Sequence, residues 1–158
     1  VTDLTVAFNA QQALQITSYG ADPYELEGED RTEYIMWNVL AATDELHELL
    51  NEVGWKPWAT SRHVNEEAAK GELVDVFHFF MNLSMALHMG PEELMQKYIE
   101  KRQINARRQE EGYDGVDGKC PKCKRALDDP AVQCQKVEIR GDDKFIEERW
   151  LCTAREES

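Results

Sequence analysis

Residues 72–87 read ELVDVFHFFMNLSMAL. Apolar side chains fall on nearly every face of a 3.6-residue repeat across this stretch. That pattern marks a helix enclosed in a bundle or covered at a subunit interface. Glu72 and Asp75 head the run, three residues apart and so on one helix face. Asp75 sits directly ahead of apolar sequence, where a solvated-face explanation is weak. The helix is expected to begin after Asn65, an N-cap residue type, and to reach about Met89.

The surrounding sequence extends the pattern. Upstream, Tyr34, Met36, Trp37, Leu40, Leu46, Leu49, Leu50 and Val53 recur at helical spacing from about Arg31 to Val53, with Gly54 expected as the C′ residue. Residues 20–30 (GADPYELEGED) read as a charged loop, and residues 3–19 as a first helix. Downstream, Gly90-Pro91 stops one helix and starts the next, with Glu92 and Glu93 on the positive end of its dipole. That fourth helix runs to about Glu111. No strand-like alternation appears before residue 130. VQCQKVEIR and KFIEERWLC then alternate around Gly141-Asp142-Asp143 as a hairpin. The expected fold is all-α: a four-helix bundle core with a small C-terminal β-hairpin appendage of zinc-ribbon type. Its divisions are a helical domain over 1–113, a linker over 114–118 and a tail over 119–158.

Charge follows the same division. The 158 residues carry a net charge of −13, and residues 1–118 hold 22 acids against 9 bases, whereas the last 40 residues are neutral. Such a surface repels nucleic acid polymers and anionic lipid headgroups but suits metal cations. No apolar run approaches the roughly 18–20 residues of a membrane span, and no basic-then-apolar signal pattern opens the chain. The expected location is cytoplasmic, where clustered cysteines bind metal more often than they form disulfides.

Glu45 and Glu48 repeat the spacing of Glu72 and Asp75 on the preceding helix. Neighbouring helices joined by a short connection run antiparallel, so the two pairs can meet across the bundle. Four converging carboxylates repel one another unless divalent cations sit between them, and hard oxygen donors select Mg²⁺ or Mn²⁺. An E-x-x-E pair on its own is commonly a solvated helix face. A frame-shifted alternative, Asp44-x-x-His47 with Asp75-x-x-His78, resembles a di-iron pattern but needs two further bridging glutamates. On the fourth helix Lys101, Asn105 and Arg108 share one face, suited either to a phosphate chain or to ordinary solvated ion pairs. Trp55 and Trp58 flank Lys56-Pro57 as loop anchors or as platforms for a base.

In this order, E-x-x-E, the W-K-x-W loop, Glu72 to Phe79 as E-L-x-D-x-x-H-F, and Tyr98 to Tyr113 as Y-x-x-K-x-x-x-N-x-x-R-Q-x-x-G-Y resemble the dimeric all-α dUTPases. These belong to the wider all-α NTP pyrophosphatase superfamily that includes the MazG proteins. The resemblance covers about residues 8–113, in the compact phage or bacterial form. It implies Mg²⁺-dependent hydrolysis of a deoxynucleoside triphosphate, dUTP first, to the monophosphate and pyrophosphate by a homodimer or higher homo-oligomer. It further implies that Glu45, Glu48, Glu72 and Asp75 hold Mg²⁺, with Glu48 orienting or deprotonating the attacking water. Lys101 and Arg108 would neutralise the phosphates, with Asn105 beside them or the sugar. Trp55 or Trp58 would pack on the nucleoside. The family's uracil-reading Q-x-x-N aligns with Gln12 and Gln15, so glutamine replaces asparagine. That departure opens dCTP or a purine dNTP as alternatives.

Cys120-Pro-Lys-Cys123, with Cys134 and Cys152 on the two β segments, suits a structural Zn²⁺ site. A tail this short can hardly build its own core, so a metal staple fits. A non-catalytic helical adaptor with a zinc tail is the competing reading from a different class.

Overall fold

Asp3 opens the first helix: its carboxylate accepts from the Thr5 N–H at 3.1 Å, satisfying an amide that a helix start leaves free. The computed structural model describes residues 3–58, 60–110, 118–127, 132–140 and 146–154. Helix α1 spans Leu4–Leu14 and runs directly into a π-helical segment, Gln15–Tyr19, closed by Gly20 at φ 71°. The first helix is thus widened over its last turn, a local geometry that concentrates at functional sites. Asp22 shapes the turn that follows, accepting from the Tyr24 N–H at 3.0 Å and from Gln12 Nε2 at 3.1 and 3.0 Å.

Helix α2 covers Gly28–Asn51, so it begins inside the stretch expected to be loop. Glu29 and Asp30 occupy its first turn, where the helix dipole favours them; acidity that reads as loop is here helix-start charge. At its other end Gly54 is not the left-handed cap expected from sequence. Its N–H donates to the His63 carbonyl at 2.8 Å, and a Cβ there would lie 2.9 Å from the Ser61 carbonyl oxygen. Close approach, not helix termination, is what this glycine provides.

Helix α3 covers Glu66–Ala86. Asn65 stands at its N-cap position, but its side chain donates to Glu52 Oε2 at 2.8 Å instead of capping. The helix stops before Gly90: His88 takes the left-handed conformation at φ 57°, and Ser84 Oγ donates to the Met89 carbonyl at 2.7 Å. Helix α4, Pro91–Glu110, starts with Glu92 and Glu93 as expected.

The chain divides into two compact units, Val1–Glu100 and Lys101–Ser158. In the first, α2 and α3 form the main helix pair. Phe8, Met81 and Met85 make the core, with Leu4, Ala7, Tyr24 and Leu94 packed against it. Burial along α3 is uneven. Near its C-terminal end Met81, Asn82, Ser84, Met85 and Ala86 are buried, while Leu73, Val74, Phe77 and Phe80 stay exposed in the single chain. Among the described residues, no helix is long and apolar enough to cross a membrane. In the second unit, β1 (Val132–Arg140) pairs antiparallel with β2 (Ile146–Ala154), with Cys134 opposite Cys152. The expected turn at Gly141–Asp143 and most of the linker, residues 114–117, lie outside the described residues. Four helices and a small C-terminal two-stranded sheet are the architecture expected from sequence.

Candidate active site

Glu45 faces α3 from α2, and Glu72 and Asp75 face it in return. One carboxylate oxygen from each lies within 4.8 Å of the other two. The half-buried Glu45 has its pKa raised. Burial is the main cause, followed by the charges of Glu48 and Asp75 and by a hydrogen bond with Glu72, whose charge adds to the effect. Three hard oxygen donors crowded against one another fit a divalent cation of the Mg²⁺ class, which would relieve this repulsion. Glu48 is exposed and stands outside the ring of three, near enough for its charge to act on Glu45. The di-iron alternative gains nothing: Asp44 and His47 are exposed, and neither joins a group able to hold a metal among the described residues.

Asp75 also lines a cavity of about 630 Å³ between α1, α2 and α3. Its polar wall comes from Gln11, Gln15, Asn38, His78 and Asn82, and its aromatic wall from Tyr19, Tyr34, Trp37 and Phe79. The volume falls in the range of small-molecule sites, as does the mix of apolar wall and a few polar groups. Gln15 comes from the π-helical turn, and Tyr34 donates from its hydroxyl to Gln15 Oε1 at 3.0 Å. Burial is the main reason the Tyr34 hydroxyl is pushed up to about 12; Asn38 opposes the rise and Asp22 adds to it. Tyr34 therefore remains a hydroxyl at neutral pH.

The sequence-derived residues fall in several places. Gln15 lines the cavity; Gln12 does not, being held by Asp22. Trp55 borders two smaller hollows with Val53 and Gly54, and Trp58 is 77% exposed. The indole in the cavity wall is Trp37. On α4, Lys101 and Asn105 are exposed and Arg108 is half-buried, all in the second unit.

The dUTPase family model matches residues 3–92, which carry both the carboxylates and the cavity. The chain belongs to the dUTPase family. Family membership makes it a nucleoside triphosphate diphosphatase. Among its relatives is a dCTP pyrophosphatase of Enterobacteria phage T4, 30% identical over 141 residues, which span 70% of this chain and 82% of that protein. A dCTP pyrophosphatase of Enterobacteria phage LZ5 is 38% identical over 71 residues, 37% of this chain and 41% of that protein. No solved structure matches. The basic face of α4 lies beyond the residues matched by the dUTPase family model.

Outside the matched residues, this dUTPase-family chain carries its four cysteines as one cluster. Their Sγ atoms all lie within 4.8 Å of one another, with Cys120–Cys152 at 3.5 Å and Cys123–Cys134 at 3.6 Å. All four are free thiols. The Cys120–Lys124 turn closes with the Lys124 N–H donating to the Cys120 carbonyl at 2.8 Å, Lys124 itself at φ 62°. Burial raises the thiols of Cys134, to about 12, and of Cys152. At Cys120 burial acts the same way but is outweighed by the amides of Cys123 and Lys122 and the neighbouring thiols, leaving it at about 6. This donor set could hold a Zn²⁺ ion.

Sequence reading missed Gln11, Tyr34, Trp37, Asn38 and Asn82 as cavity residues, and gave His78 a role only in the di-iron alternative, although it stands in the E-L-x-D-x-x-H-F motif. The available signal was Asn82 inside the apolar run of α3. A buried amide must find hydrogen-bond partners, and those partners were amides on the other two helices.

Proposed function

We propose that this protein hydrolyses a pyrimidine deoxynucleoside triphosphate, dCTP in preference to dUTP, to the monophosphate and pyrophosphate, using Mg²⁺. The observation that carries this reading is the double position of Asp75, which belongs to the carboxylate cluster and to the cavity wall alike. A nucleoside in the cavity would thereby have its phosphates at the cation site. Glu45, Glu72 and Asp75 would hold the cation, and Glu48, free on the exposed side, would orient the attacking water and take its proton. A bound divalent cation supplies neutralisation of the phosphate charge and a more acidic water. Tyr34, Trp37 and Phe79 would enclose the base, and Gln15 would meet its polar edge. The face of Lys101, Asn105 and Arg108 has the chemistry of a phosphate-binding surface.

Two observations favour dCTP: the relatives named as dCTP pyrophosphatases, and glutamine at Gln15 where the uracil-reading pattern has asparagine. The dUTPase family model favours dUTP as the second reading. A second copy of the chain would cover Leu73, Val74, Phe77 and Phe80, and Zn²⁺ would staple the tail through Cys120, Cys123, Cys134 and Cys152. Pyrophosphate release from a panel of dNTPs with Mg²⁺ tests the catalytic reading. Turnover led by dCTP is expected, and no turnover of any nucleotide would refute it in favour of a binding protein.

A further inference from the structure

Along the polar wall of the cavity, side chains from three helices are hydrogen-bonded in single file. His78 Nδ1 lies 2.6 Å from Gln11 Oε1, and Gln11 Nε2 donates to Asn82 Oδ1 at 2.9 Å. Asn82 Nδ2 donates to Asn38 Oδ1 at 2.8 Å, and Asn38 Nδ2 donates to the main-chain oxygen of Tyr34 at 2.8 Å. The far end sets the direction of the whole file. A backbone carbonyl can only accept, so Asn38 must turn its NH₂ group to Tyr34 and its oxygen to Asn82. Asn82 and then Gln11 are oriented in turn, and Gln11 is left with its oxygen toward His78. Facing an acceptor, His78 Nδ1 must carry the hydrogen. In the neutral ring Nε2 is then a lone-pair acceptor, and it has no hydrogen-bond partner among the described residues.

We propose that His78 is the base-reading residue of this pocket, held as an acceptor by the Gln11–Asn82–Asn38 file and selective for the exocyclic amine of cytosine. The inference rests on the cavity being the nucleoside site. With the C4 edge of the pyrimidine against Nε2, the cytosine amine donates to the ring nitrogen. Uracil brings a carbonyl oxygen to the same point, where two lone pairs face each other and a buried acceptor goes unpaired. A freely rotating amide would adapt to either base by flipping. This file cannot reverse, because its last bond ends on the main chain.

The test compares kcat/KM for dCTP, dUTP and the 2-pyrimidinone deoxynucleoside triphosphate, which carries only hydrogen at C4. The wild-type protein is expected to prefer dCTP over both by about tenfold or more, the worth of one good hydrogen bond. In His78→Asn, the side-chain amide can still donate to Gln11 but nothing occupies the Nε2 position. That variant is expected to lose about tenfold on dCTP and to treat the three substrates alike. Equal losses on all three, with the wild-type preference intact, overturn the role of His78 and leave the diphosphatase reading standing. Should His78→Asn fail to fold, wild-type rates that are equal for dCTP and the 2-pyrimidinone analogue overturn it on their own. Absence of turnover on every triphosphate overturns both readings together.

Discussion

Replacing Asn82 with leucine removes the centre of the amide file while keeping the side chain's size. Asn82 is 3% exposed, and its amide bonds Gln11 at 2.9 Å and Asn38 at 2.8 Å. Leucine would leave Gln11 Nε2 and Asn38 Oδ1 buried against methyl groups. Each orphaned group costs about 2 kcal/mol, the middle of the usual range. The added apolar burial returns about 1–2 kcal/mol, for a net loss of about 2–3 kcal/mol. Urea unfolding of the metal-free protein, followed by far-UV circular dichroism, reads this directly. With m near 1.5 kcal/mol/M, the midpoint should fall by about 1.5 M at unchanged m. Gln96→Leu serves as the control, since the hydrogen bond from Gln96 to Glu100 is exposed and its loss should shift stability by no more than about 0.5 kcal/mol. A midpoint for Asn82→Leu within about 0.5 M of wild type would refute the buried file, and with it the fixed polarity at His78.

Three further outcomes are expected. In the metal-free protein the raised pKa of Glu45 means that the folded state holds the proton more tightly than the unfolded one, so this contribution to stability is present below the ordinary value of 4.5 and is lost as pH rises through the raised value. Mg²⁺ competes with that proton, so the rise in Tm on adding Mg²⁺ should grow as pH rises above the ordinary carboxylate value of 4.5; a pH-independent rise would contradict the site. Metal analysis of the purified protein should find about one zinc per chain, lost in Cys134→Ser, whereas four titratable thiols without zinc would argue for a metal-free tail. If a second copy covers Leu73, 56% exposed in the single chain, as proposed, light scattering should show a lower mass for Leu73→Glu than for the wild type, and an unchanged mass would contradict that coverage.

The helical frame was legible because its signals are local. Pro91 and the acidic pair after it act within a turn of where they stand, and the apolar run of α3 marks a helix whatever covers its faces. The carboxylate cluster was nearly as clear, since spacing of three places Glu72 and Asp75 together and the short connection after α2 brings Glu45 to them. What stayed hidden depends on more than one helix. The register by which Gln11, and not Gln12, enters the cavity follows from the Asp22 turn that captures Gln12. Trp37 enters the wall from α2, and no single-helix periodicity shows which of its faces meets the cavity. Gly54 read as a cap because glycine has two uses; only the backbone of Ser61 and His63 beside it shows which one applies.

Asp75 connects the cation cluster to the cavity, so its removal is the most direct measurement. Pyrophosphate release from dCTP should require Mg²⁺, stop with a chelator, and fall at least about a hundredfold in Asp75→Asn, with helical circular dichroism unchanged. Turnover that persists in the chelator, or at wild-type rate in Asp75→Asn, would contradict a cation-dependent diphosphatase site at Glu45, Glu72 and Asp75.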